Sequence, residues 1–145
     1  MISDSKKTEA IQISIYCDVI CNLLNRHKNL SVIKTIVFSY IIKQNHLLNN
    51  NCFNAKNTKS LIFKSLSLLA GNYQSLCDNT PYILKAVDVL IKNNLVIYDN
   101  NELVFVEKGY EVSNIYSESN FLKKAIEESY TMSDTQFIKE VMYNV

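Results

Sequence analysis

Cys17 and Cys21 lie four residues apart, the spacing that sets two side chains on one face of a helix, and His27 and His46 could complete a zinc site with them. Nothing in the spacing fixes that closure. Both cysteines stand among apolar neighbours (Tyr16, Val19, Ile20, Leu23), so buried core thiols are the favoured reading. His27 precedes a loop and His46 ends an apolar run, positions where backbone or solvent satisfies an imidazole. With no secretory signal, Cys17, Cys21, Cys52 and Cys77 are expected to be reduced rather than bridged. Glu127-Glu128 reads as a solvated helix face. The chain has no glycine-rich phosphate loop, no GxSxG elbow and no HExxH pair, and its two glycines disfavour any close backbone approach to phosphate. We therefore expect neither an enzyme nor a cofactor nor a metal.

Composition and charge narrow the classes further. The 145 residues are 48% apolar and 20% charged, with one proline and no tryptophan, which predicts one compact, mainly helical domain rather than a disordered chain. No apolar run approaches the ~20 residues of a membrane span, and "MISDSKKTE" has no hydrophobic signal core, so a cytoplasmic protein without a membrane partner is expected. The net charge of +1 hides an asymmetry. Residues 1–60 hold eight Lys/Arg against three Asp/Glu, and residues 61–145 hold seven against eleven. The first half suits phosphate or an acidic protein surface, whereas DNA would be repelled by the second.

The elements follow from periodicity. A first helix is predicted over about Asp4 to His27, with Ser14, Asp18, Asn22 and Asn25 as its narrow polar stripe and Ile11, Ile15, Val19, Ile20, Leu23 and Leu24 elsewhere. A second, Ser31 to Leu48, is apolar nearly all round and must be a central core helix or part of an obligate interface. The asparagine-rich stretch 49–57 reads as a loop. A third helix is predicted over about Thr58 to Leu76. Thr80-Pro81 then looks like a fresh helix start, an N-cap oxygen followed by proline at the first position. That placement sends Ile83, Leu84, Val87, Leu90 and Ile91 inward and Lys85, Asp88 and Lys92 outward. Asn93-Asn94 can end the helix, and "LVIY" and "LVFV" joined by "DNNE" predict a two-stranded hairpin. Helices at about Glu118 to Ser129 and Ser133 to Tyr143 follow, the latter opened by Ser133 and Gln136 in capping-box spacing. The expected architecture is a winged-helix-like helical domain, mainly α with a small β-hairpin: residues 1–76 helical, 77–110 helix plus hairpin wing, 111–145 C-terminal helices.

Helix plus hairpin is how a winged helix reads DNA, and it is also used to grip proteins. DNA reading wants Arg, Lys, Asn or Gln on the exposed helix and a basic wing tip. Here the tip carries Asp99 and Glu102, and residues 80–110 hold three Lys against four Asp/Glu with no arginine. A protein contact through Tyr82, Lys85, Asp88, Val89 and Lys92 fits better, while completing the core is the plain alternative. Arg26, Lys28, Lys34, Lys56, Lys59 and Lys64 are candidates for a weak phosphate surface or for docking an acidic partner, if they are more than a solvated rim.

The order of "VFSYIIKQNHLL", "PYILKAVDVLIKNNLV", a hairpin and a tail "FLKKAIEES…FIKEVMYNV" resembles the middle components of ABC-three-component systems, the Lamassu-type bacterial defence operons against plasmids and phages. The likeness runs from about Ile11 onward. It implies a non-catalytic adaptor that associates with an SMC-like ATPase and a nuclease effector, helps hold the effector inactive until invading DNA is engaged, and meets DNA only within the assembly. The alternative is a DNA-binding transcriptional regulator.

Overall fold

The computed structural model describes residues 3–44, 73–106 and 120–143. These form five helices and three short strands: α1 (Asp4–His27), β1 (Asn29–Ser31), α2 (Val32–Gln44), α3 (Tyr73–Lys92), β2 (Val96–Asp99), β3 (Glu102–Phe105), α4 (Asn120–Ser129) and α5 (Asp134–Tyr143). The protein is mainly helical with a small antiparallel sheet ordered β1-β3-β2. The predicted Asn-rich loop and most of the predicted third helix lie outside the described residues, as do His46 and Cys52.

Helix α1 starts where Ser3 caps it, its hydroxyl accepting from the Lys6 amide. From Tyr16 to Leu24 the helix is enclosed, but Ile11 is 59% exposed and Asn22 is buried. The sequence reading had these two the other way round. Asn22 is tolerated inside because its side-chain amide donates to the Asp18 carbonyl one turn back. Helix α2 is the central core helix, buried continuously from Val37 to Ile42, and Phe38 meets Phe137 of α5 with ring centroids 5.4 Å apart.

Helix α3 corrects the predicted start at Thr80. It begins seven residues earlier, at Tyr73, and carries Pro81 in its interior. Thr80 is not an N-cap: its hydroxyl donates back to the Leu76 carbonyl, and the Asn79 amide likewise donates to the Ser75 carbonyl. Proline removes the amide that would bond the Cys77 carbonyl, so the helix crosses this point one hydrogen bond short. Its core face is Ile83, Ala86, Val87 and Leu90, the i, i+3, i+4, i+7 stripe.

Asn94, with φ of 60°, ends α3 in a Schellman turn: the Leu95 amide bonds the Leu90 carbonyl and the Asn94 amide the Ile91 carbonyl. The hairpin turn Asn100-Asn101 has positive φ at both residues, the type I′ geometry that matches strand twist. The strand that periodicity missed is β1. Leu30 pairs with Leu103 across β3, and both are buried. Three residues are too few to show alternation.

The C-terminal helices close over β1 and α2. Ser133 caps α5 through its contact with the Gln136 amide. Ser31 Oγ donates to Asp134 at 2.6 Å, Lys34 Nζ donates to the Met132 carbonyl at 2.8 Å, and the Tyr130 hydroxyl donates to the His27 carbonyl.

Candidate interaction surface

The thiols are the first candidates to place. Cys17 and Cys21 line an open groove of about 350 Å³ between α1 and the end of α3, with Ile15, Asp18, Leu90 and Leu95 around them. Cys21 is buried, and the Cys17 thiol donates to the Ala86 carbonyl. Burial, and then the Asp18 charge, push the Cys17 thiol above its ordinary range, which disfavours the thiolate that nucleophilic or metal chemistry needs. Among the described residues no group of three or more His, Cys, Asp or Glu could hold a metal ion.

A second polar group joins three helices. The Lys43 ammonium sits 4.7 Å above the Tyr16 ring and reaches Gln12 and Asn79, while Tyr16 donates to Asn79 at 2.9 Å. Burial lowers the Lys43 pKa and raises that of Tyr16. Every polar head in the group is occupied by another, so it fastens α1, α2 and α3 rather than offering a reactive atom.

Among the described residues the basic candidates do not converge. Arg26 and Lys28 are exposed at the end of α1, but Lys34 is only 8% exposed and bonded to Met132. Lys34 is therefore not a phosphate contact: its stem packs in the core and its ammonium holds the C-terminal helices. Lys56, Lys59 and Lys64 lie outside the described residues.

The α3 candidates do share a face. Lys85, Asp88, Val89 and Lys92 are exposed and Tyr82 is half-buried beside the core. Asp88 and Lys92 pair at 2.8 Å, as their spacing predicts, and Lys85 pairs with Glu9 of α1. Both α3 lysines thus have a carboxylate partner. Leu84 and Ile91, predicted inward, are exposed as well. The reason is geometric: the stripe through Ile83 and Leu90 already fills the core face, and Leu84 and Ile91 stand one position off it. On the hairpin Ile97, Tyr98 and Val106 are exposed too. Seven of the nine large apolar side chains exposed among the described residues lie between Tyr73 and Val106. The signal for Leu84 and Ile91 was present in the sequence, since Ala86 completes the inward stripe without them.

No family model, curated protein or solved structure matches the chain. No helix among the described residues is long and apolar enough to cross a membrane.

Proposed function

We propose that this protein is a non-catalytic adaptor that binds other proteins through α3 and the hairpin. The observation that carries the proposal is the concentration of exposed apolar side chains on that one unit, interleaved with two lysines that each pair with a carboxylate. A surface of apolar anchors whose lysines are already paired suits a protein partner; phosphate needs unneutralised cations. The element order helix, strand, helix, helix, hairpin, with β1 closing onto the hairpin, supports a winged-helix arrangement turned to protein binding. On the resemblance to the middle components of Lamassu-type systems, the partners are an SMC-like ATPase and a nuclease effector, with DNA met through the assembled complex in the cytoplasm.

The test is capture of the tagged protein from its native host at near-physiological salt, with and without nuclease, beside the variants Val89→Asp and Leu84→Asp. The adaptor assignment expects the ATPase and nuclease in both wild-type captures and their loss from the variants, with thermal stability unchanged. Recovery of DNA alone, lost on raising salt, would replace it with a DNA-binding regulator.

A further inference from the structure

Helix α3 changes character at Pro81. No residue from Tyr73 to Thr80 is buried, whereas Ile83, Ala86, Val87 and Leu90, all beyond the proline, lie in the core. The backbone is also weakened where the two parts meet. Pro81 has no amide for the Cys77 carbonyl, and the two carbonyls before that one, of Ser75 and Leu76, accept from the side chains of Asn79 and Thr80. Back-bonding of this kind weakens the helix ladder and favours a bend. Three consecutive residues, 79 to 81, thus loosen one turn.

The two parts are fastened differently. Beyond Pro81, Lys85 pairs with Glu9 and the Ala86 carbonyl accepts from Cys17, in addition to the buried stripe. Before it, among the described residues, the side-chain hydrogen bonds to other elements all end on one atom: Asn79 Oδ1 accepts from the Tyr16 hydroxyl at 2.9 Å and from the Lys43 ammonium at 3.4 Å. Leu76 adds a partly buried contact with the core.

We propose that residues 73–80 are a hinged arm, turning at Pro81 and latched by Asn79 onto Tyr16 and Lys43, which opens while the remainder of the fold stays closed. Opening is cheap for physical reasons: little apolar surface meets water, one acceptor atom is released, and the joint already lacks a hydrogen bond. It uncovers the Tyr16 hydroxyl and the Lys43 ammonium. The arm carries the exposed Tyr73 and Cys77, while Leu84, Val89 and Ile91 stand on the fixed side, so a molecule that touches both sides of Pro81 sets the position of the arm. The inference stands on the fold alone and does not depend on the adaptor assignment.

The experiment is amide hydrogen exchange of the full chain at rising urea concentrations below the unfolding transition. The amides of Cys77 to Thr80 report the arm, and those of Val87 to Leu90 report the fixed part. The arm amides should exchange roughly tenfold or more faster, with little dependence on urea, because local opening exposes little surface. Ile126→Val, a core substitution in α4, should speed the fixed amides roughly fivefold and leave the arm amides unchanged. Tyr16→Phe, which removes one latch bond from outside the arm, should speed the arm amides roughly fivefold, and Pro81→Ala should slow them by closing the ladder. Arm amides that share the urea dependence of the fixed ones, or that speed up equally in Ile126→Val, overturn the proposal, since the arm would then open only with the whole molecule. Arm exchange unchanged by Tyr16→Phe overturns the latch, and exchange unchanged by Pro81→Ala overturns the hinge.

Discussion

Lys34 and Tyr16 show how single side chains carry structure here. Lys34 replaced by Glu would set an unpartnered carboxylate beside the Met132 carbonyl, in a site that is 8% exposed, and is expected to lose about 3 kcal/mol or more. Lys34→Met keeps the stem but orphans the carbonyl, and should lose about 1–3 kcal/mol. Urea denaturation checks both, and an unchanged midpoint would return Lys34 to the surface. Tyr16→Phe deletes the bond to Asn79 and should lose about 1 kcal/mol at pH 7. Its effect at alkaline pH has the opposite sense. Burial, and then Tyr40, hold the folded Tyr16 pKa above the ordinary 10.0, so above that pH the unfolded chain releases a proton that the folded one keeps, and stability falls as pH rises. Cys17 acts in the same direction from its ordinary 9.0, because its folded pKa is also raised. Lys43, lowered from 10.5, opposes them: below that pH the unfolded chain binds the proton more tightly, and stability rises with pH. Urea midpoints measured from pH 8 to 11 should therefore fall less steeply above pH 10 for Tyr16→Phe than for the native protein.

Among the elements, α1 was legible to its exact ends, and so was the hairpin to within a residue, because periodicity and turn chemistry act locally. Helix α3 was not. Thr-Pro has the same appearance at a helix start and inside a helix whose neighbouring side chains back-bond the carbonyls, and only tertiary packing decides between them. Replacing Pro81 with Ala should supply the missing amide to the Cys77 carbonyl. We expect a gain of about 1 kcal/mol or more, read as a raised urea midpoint, since interior proline costs up to ~3 kcal/mol. No change would show that Asn79 and Thr80 already compensate in full. Strand β1 escaped detection for a different reason: its pairing partner is more than seventy residues away, and nothing local announces it. The candidate surface was half legible. The charged residues of α3 and Val89 were placed outward, as they are, whereas Leu84 and Ile91 were mistaken for core because a wide apolar face and an over-full one look alike in sequence.

At the scale of the whole molecule, α4 and α5 belong to the same core as α1 to α3. Phe137 is fully buried and stacks at a tilt on Phe38, so Phe137→Ala should lose about 3–5 kcal/mol in a single cooperative transition. Loss of the C-terminal helices alone, with the remainder melting later, would instead show that they form a separate unit. One further consequence concerns the order in which the chain is made. Leu30 waits for Leu103, and Ser31 waits for Asp134, at sequence separations of 73 and 103 residues. At about 5–20 residues per second the ribosome needs several seconds to deliver the first of these partners, and longer for the second. Throughout that interval the apolar flanks of α1 and α2 have neither their sheet nor their cover, which leaves the nascent chain exposed to aggregation until its last third is made.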